Sequence, residues 1–242
     1  MLTPEQRQAY WEDGFIFPVD VASPEEVNQW YTELVAMREQ HEEAWVAGEV
    51  GTLKQWLAPI AERRSIIEQI GSLLGPKVQV QNVDVFVKKP MSGWFWPWSR
   101  RSAQTIRPHV DTHFPPPEPE RRITIWIPLA KAKPSHGGLV YFARSHRELP
   151  DELPLRPEMV SISDEVFQTL SKKETPVRLV PGQMSVHHGR MVHSSGGNWG
   201  RKPRIALAIR YQGLGEPLSP NLPTPADIQM AERDFPVSWR NC

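Results

Sequence analysis

His109-Val110-Asp111, with His193 far downstream and Arg204 eleven residues beyond it, is the pattern in this chain best suited to chemistry. Two imidazoles and one carboxylate can hold one face of a ferrous ion and leave the opposite face open to further ligands. Open positions on a metal imply reaction rather than a purely structural role. The triplet alone carries little weight, because in 242 residues with eight histidines a His-x-Asp arises by chance in roughly one such chain in four. A competing reading takes His109 and His113 as an i, i+4 pair on a helix, as in zinc proteases, but that motif needs Glu after the first histidine, and Val110 stands there. Pro108 and Pro115-Pro116-Pro117 also oppose a helix. The triplet therefore belongs on an extended segment.

The elements that must position it follow from capping and periodicity. Thr3-Pro4-Glu5-Gln6 and Ser23-Pro24-Glu25-Glu26 each read as a capping box with proline in the first turn, so two helices start there. Val27, Trp30, Tyr31, Leu34 and Val35 form an apolar stripe on the second. A further helix is expected from Glu62 to Leu74, ended by Gly75-Pro76. From Lys77 the period changes to two: Val78 and Val80, then Val83, Val85 and Val87, alternate as a half-buried strand requires. Further strands are expected at 123–127, 138–142, 177–180, 184–188 and 204–211. In the last, Arg204, Ala206, Ala208 and Arg210 share one face, and Ile205, Leu207, Ile209 and Tyr211 share the other. The Ile/Leu face should pack on helices, leaving the alanine face as a lumen with Arg204 projecting into it. Helices followed by short strands fit an α+β domain, mostly β, built around a sandwich or barrel.

Composition narrows the function classes. The formal charge of +0 lacks the basic footprint of a nucleic-acid binder, so no nucleic acid is expected as partner. Neither a signal peptide nor the ~20-residue apolar run needed to span a bilayer is visible, so no membrane partner is expected and the cytoplasm is the default location. Cys242, the single cysteine, excludes an intramolecular disulfide framework and fits a reducing compartment. Twenty-five prolines are scattered between patterned segments and imply many turns rather than disorder. One domain over 1–242 is the expected organisation: 1–76 mainly helical, 77–211 the strand core, and 212–242 a C-terminal tail.

Three stretches resemble the phytanoyl-CoA dioxygenase family: His109-Val110-Asp111-Thr112-His113-Phe114-Pro115, Trp126-Ile127-Pro128-Leu129 through Gly137-Gly138-Leu139, and His193-Ser194-Ser195-Gly196-Gly197-Asn198 with Arg204. The family's His-x-Ser-x-x-Asn, followed by arginine eleven residues after the histidine, is matched position for position. The opening Leu2-Thr3-Pro4-Glu5-Gln6 and Asp13-Gly14-Phe15 are also similar. Two turns depart from the family: Phe142-Ala143-Arg144-Ser145-His146 replaces a Pro-Gly-Ser-His turn, and Gln183 follows Gly182 where Asp is common.

The resemblance implies a double-stranded β-helix (jelly roll, cupin-like) with the N-terminal helices packed on it. It implies Fe(II), 2-oxoglutarate and O2 as cofactor and co-substrates, with succinate and CO2 formed as an unactivated C–H bond of a small molecule is hydroxylated or otherwise oxidised. His109, Asp111 and His193 are then the metal ligands and catalytic centre. Among the residues alone His187, His188 and His193 all stand open as the distal ligand; the family's spacing selects His193 and makes His188 its non-ligand neighbour. Arg204 is implied to bind the distal carboxylate of 2-oxoglutarate, a bidentate task suited to guanidinium. Ser195, Trp126 and a lysine of the Lys88-Lys89 pair, assigned as Lys89, are implied beside it. Trp96 and Trp98 in the aromatic loop 93–101, with Arg107 and His113, are candidates to face the substrate, the loop as a lid or as added core. An acyl-CoA, an amino acid and a specialised metabolite all remain open as substrate, and the assembly is expected to be a monomer or homodimer. The alternative is a cupin-type metal protein that binds a small molecule without turnover or works without O2.

Overall fold

The computed structural model describes residues 1–46, 51–91, 105–111, 121–150, 160–170, 173–215, 228–232 and 234–241. Among the described residues of the N-terminal third there are four helices: α1 (Pro4–Asp13), α2 (Pro24–Val46), α3 (Gly51–Ala61) and α4 (Arg64–Leu74). Both expected capping boxes form. Thr3 and Gln6 exchange side-chain bonds with each other's backbone at the start of α1, as do Ser23 and Glu26 at α2. The helix expected from Glu62 begins at Arg64, and α3 precedes it unforeseen, because Pro59 reads as a breaker yet sits near the end of α3. Leu53, Leu57, Ile60 and Ala61 form its buried stripe.

The described residues form twelve strands, in chain order β1 (Phe15–Asp20), between α1 and α2, then β2 (Lys77–Lys88), β3 (Ile106–Val110), β4 (Arg122–Pro128), β5 (Leu139–Phe142), β6 (Val160–Ser161), β7 (Glu174–Pro176), β8 (Gln183–His188), β9 (His193–Ser195), β10 (Arg204–Gly213), β11 (Gln229–Met230) and β12 (Val237–Asn241). Among the described residues two short helices, α5 (Ser145–Glu148) and α6 (Asp164–Thr169), interrupt them. The strands form two sheets. One has the order β1-β8-β4-β10-β2-β11, with β12 also paired to β2; the other runs β6-β3-β9-β5-β7. β1 escapes a sequence reading because Pro18 cannot donate to a ladder, and it survives as the edge strand where proline is tolerated. The strand expected at 177–180 lies earlier, at Glu174–Pro176; Leu179 keeps only an isolated bridge to Ala132, while Val177 and Leu179 stay buried as their alternation requires. Beyond residue 211 the chain does more than trail, since β12 runs parallel to β2 in the register Ser238↔Asp84 and Arg240↔Phe86.

The period-two pattern of β10 is realised as read. Ile205, Leu207, Ile209 and Tyr211 join Val83, Val85 and Val87 of β2 and Ile123, Ile125 and Ile127 of β4 in a core closed by α1 to α4. Each such side chain stabilises the fold by roughly 1.5–3 kcal/mol on burial, whereas an exposed ion pair such as Arg64–Glu68 contributes about 0–1 kcal/mol. The helical side therefore anchors β10 and β2. Their opposite faces are left to carry Ala206 and Ala208 beside Trp126, together with charged residues. Behind the smaller sheet, Val110, Phe142 and Val192 pack with Leu149, Ile162 and Leu170 in a separate cluster.

The turn that departs from the family carries a measurable strain. Arg144 has φ 69°, a left-handed conformation that costs a residue with a Cβ about 1–2 kcal/mol, and its contact with Asp13 is long at 3.4 Å and exposed. Arg144→Gly is expected to raise stability by up to about 1 kcal/mol and Arg144→Val to lower it by at least as much. Thermal melts of the two variants check the opposite signs.

Candidate metal centre and co-substrate pocket

β3 and β9 pair so that His109 lies directly across from His193, with ring centroids 4.2 Å apart. Alternation puts Asp111, two residues beyond His109, on the same side. One ligand atom from each of His109, Asp111 and His193 falls within 4.8 Å of the others. Both imidazoles are oriented by backbone carbonyls: His109 Nδ1 lies 2.9 Å from Arg107 O and His193 Nδ1 2.9 Å from Met191 O. A carbonyl only accepts, so Nδ1 carries the proton and Nε2 keeps its lone pair for a metal. Burial holds His109 down to about 3 and His193 to about 4, so both are neutral at pH 7.

The carboxylate is more heavily engaged. Asp111 Oδ1 accepts from Arg210 Nη2 at 2.8 Å, and Oδ2 accepts from Thr124 Oγ1 at 2.7 Å and from His187 Nε2 at 3.0 Å. Burial pushes the Asp111 carboxyl up, but the Arg210 charge and the hydrogen bond from His187 outweigh it and hold the group well below the usual carboxylate range. An ionised carboxylate cannot donate, so His187 is the Nε2–H tautomer; its Nδ1 then accepts from Tyr141 Oη at 3.0 Å, and Tyr141 Oη lies 2.8 Å from Ser185 Oγ. Arg210 is anchored on its other side by Asp84, which also accepts from Ser238 and, at 3.0 Å, from Arg240 Nε.

Both sheets line one cavity of about 320 Å³, within the size range of small-molecule sites. His109, His193 and Ser195 face it from the smaller sheet; Trp126, Arg204, Ala208 and Arg210 face it from the larger. Arg204 is 4% exposed, its Nη2 donates to Gly137 O at 2.9 Å, and its guanidinium lies 5.5 Å from the Trp126 ring. Lys88, 0% exposed, donates to Ser195 Oγ at 2.7 Å and Gly196 O at 2.8 Å. Gly137 closes this end with φ 73°, and a Cβ there would stand 2.7 Å from Lys88 Cδ. Two buried cations, a hydroxyl and a turn that admits only glycine suit one terminal carboxylate of a dicarboxylate.

These positions revise several sequence expectations. Lys89 is exposed and Lys88 is the lysine turned inward. His187 supports Asp111, whereas His188 packs with Tyr10 and His146 away from the centre. Arg107 is turned outward to Asp164 and offers the site only its carbonyl. Trp96, Trp98 and His113 lie outside the described residues. Thr124, Tyr141, Ser185 and Asp84 were not singled out by sequence, and Arg210 was placed on the lumen face without a role.

With that geometry in place, the comparison with known families is direct: a sequence profile described as phytanoyl-CoA dioxygenase matches residues 10–206. The chain belongs to the phytanoyl-CoA dioxygenase family. It is accordingly an enzyme dependent on iron and 2-oxoglutarate, with O2 as co-substrate. Comparison with curated proteins gives no match. Among solved structures, the epimerase SnoN in complex with Fe3+, alpha-ketoglutarate and nogalamycin RO is similar at 19% identity, covering 96% of each chain with a TM-score of 0.70. The non-heme monooxygenase ThoJ in its apo form is similar at 23% identity over 86% of this chain and 77% of that one, TM-score 0.64. The alpha-ketoglutarate-dependent carbocyclase SnoK is similar at 19% identity over 87% and 84%, TM-score 0.63. At these identities the likeness establishes the fold. No helix among the described residues is long and apolar enough to cross a membrane.

The buried histidines give the metal-free protein a defined response to acid. Burial, then the neighbouring His146, holds His188 down to about 3, against about 6.5 unfolded. Between these values the unfolded chain binds the extra proton and the folded chain does not, so stability falls as pH drops below about 6.5, by up to about 1.4 kcal/mol per pH unit for one group. His109 and His193 act in the same direction. The apo melting temperature should therefore fall steadily from pH 7 to pH 5. His188→Gln, which takes up no proton, should show a shallower dependence in the same melts; an equal slope removes His188 from the account.

Proposed function

We propose that this chain is an Fe(II)- and 2-oxoglutarate-dependent oxygenase that hydroxylates an unactivated C–H bond of a small molecule, on a double-stranded β-helix formed by the two sheets. His109, Asp111 and His193 hold the iron. Arg204, aided by Lys88, Ser195 and Trp126, receives the distal carboxylate of 2-oxoglutarate. The observation that carries this reading is that a two-imidazole, one-carboxylate set and a buried arginine, supplied by opposite sheets, line the same cavity. A binder without turnover needs neither an open coordination face nor a second charged anchor beside it.

When bound, iron with 2-oxoglutarate and O2 supplies the oxidant, and succinate and CO2 leave as co-products. The chain's own residues perform the rest. His109 and His193 present neutral Nε2 atoms, and Asp111 contributes one negative charge. Arg204 fixes the length and direction of the co-substrate through a charge-assisted contact. Ala206 and Ala208 keep the floor shallow, so that the co-substrate and a target carbon fit together. The family fold also serves an epimerase and a carbocyclase, so the outcome at the target carbon depends on how the substrate is held.

Two measurements test the assignment. Metal analysis under anaerobic conditions should give one Fe(II) per chain, lost on His109→Ala, Asp111→Ala or His193→Ala; loss on His187→Ala with retention on His193→Ala would show the distal ligand to be misassigned. Arg204→Ala should bind iron normally and raise the 2-oxoglutarate requirement roughly tenfold or more, as expected when about 1.5–3 kcal/mol of charge-assisted bonding is removed. Unchanged affinity for 2-oxoglutarate together with a lowered melting temperature would make Arg204 a structural residue.

A further inference from the structure

The way Asp111 is held has a consequence for how it can meet a metal. A carboxylate offers about four lone-pair sites, two on each oxygen. Thr124 Oγ1 and His187 Nε2 take both sites on Oδ2, and Arg210 Nη2 takes one on Oδ1. Among the described residues, the site left without a donor is on Oδ1, which is also the oxygen that faces His193 Nε2, at 4.0 Å. Resting on the reading of His109, Asp111 and His193 as iron ligands, we propose that Thr124 and His187 are positioning residues that restrict Asp111 to one-oxygen ligation, with Arg210 steadying the oxygen that ligates.

The restriction matters because of what must share the metal. A facial triad leaves three positions, of which 2-oxoglutarate needs two through its 2-oxo acid end and O2 needs the third. A carboxylate free to turn would chelate through both oxygens and fill the third. The donors on Oδ2 prevent that turn, and each is itself fixed. Thr124 sits on β4 opposite His187 in the β4/β8 register and opposite Arg210 in the β4/β10 register, so all three donors converge from adjacent strands of one sheet. His187 cannot swap tautomers without losing its bond to Asp111 Oδ2, and its other ring nitrogen is occupied by Tyr141 Oη, which is buried beside Ser185. Arg210 is kept in place by Asp84. The larger sheet thus holds the carboxylate while the smaller sheet supplies the two imidazoles.

Nitric oxide, which binds ferrous iron where O2 would, reads out the third position without turnover. The wild-type protein, Thr124→Val and the Thr124→Val/His187→Leu double variant are loaded anaerobically with Fe(II) and 2-oxoglutarate and titrated with nitric oxide, the adduct being followed by EPR. Iron occupancy should be kept in all three, while nitric oxide affinity falls severalfold in Thr124→Val and at least tenfold in the double variant. Thr124→Ser and His187→Gln, which restore a donor at the same place, should recover it. If the double variant does not fold, the Thr124→Val and Thr124→Ser pair decides the matter, because these substitutions barely change volume. Nitric oxide affinity equal to wild type in iron-loaded variants overturns the proposal while leaving the ligand assignment intact; failure of the wild-type protein to bind iron, or iron retained in Asp111→Ala, overturns the assignment itself.

Discussion

An ionised carboxylate removed from water is the constraint on which the arrangement of this molecule turns. Taking Asp111 out of solvent unpaired would cost several kcal/mol, and no single contact offsets that. Arg210 brings a charge, which is itself buried and needs Asp84. Asp84 in turn draws on Arg240 and Ser238 from the last strand. On the other oxygen, His187 must donate from Nε2, and its second nitrogen then needs the Tyr141 hydroxyl, itself bonded to Ser185. Each partner creates a requirement met by the next, until the series ends at Arg240, which is 55% exposed and can be solvated. The polar interior of the larger sheet is best understood as the set of groups that one buried charge demands.

That demand is compatible with a stable fold because the two faces of β2, β4 and β10 are independent. On the helix-facing side, valines, isoleucines and leucines carry the burial energy. On the cavity side, residues at intervening positions are free to be small, charged or strained. A domain with a single shared core could not tolerate Asp84, Lys88, Arg204 and Arg210 on two neighbouring strands, since unsatisfied polar groups there would compete with packing.

Much of this was legible in the sequence, and where it was not the reason is specific. The lumen face of β10 and the capping boxes follow from local periodicity, and His109 and Asp111 stand out by residue type and spacing, whereas His193 is told from His187 and His188 only by the family resemblance. Lys88 and His187 were within reach of the same reasoning. Along β2, Lys88 shares parity with Asp84 and Phe86, opposite to the core valines, and along β8, His187 shares parity with Ser185 rather than Val186. Assigning Lys89 overlooks that parity. The Asp84–Arg210 pairing was not legible, because it joins residues 126 apart through a sheet order that no local pattern specifies. β12 was missed for a related reason: a strand of five residues carries too little periodicity to stand out.

β12 also bears on how the protein comes to be assembled. β2 lies in the first half of the chain, yet its partners are β10 and, at the far end, β11 and β12. Until those late residues are available, β2 exposes an unpaired edge, and Asp84 has neither Ser238 nor Arg240 beside it. Pairings across such sequence separations close slowly, since the entropy of the intervening loop is lost before any contact compensates. The N-terminal helices can form during synthesis, but the cavity cannot take its shape until the last strand docks. Completion of the site is therefore a late event in folding, and a chain interrupted before Val237 would retain its helices and valine core while presenting an open strand edge to its neighbours.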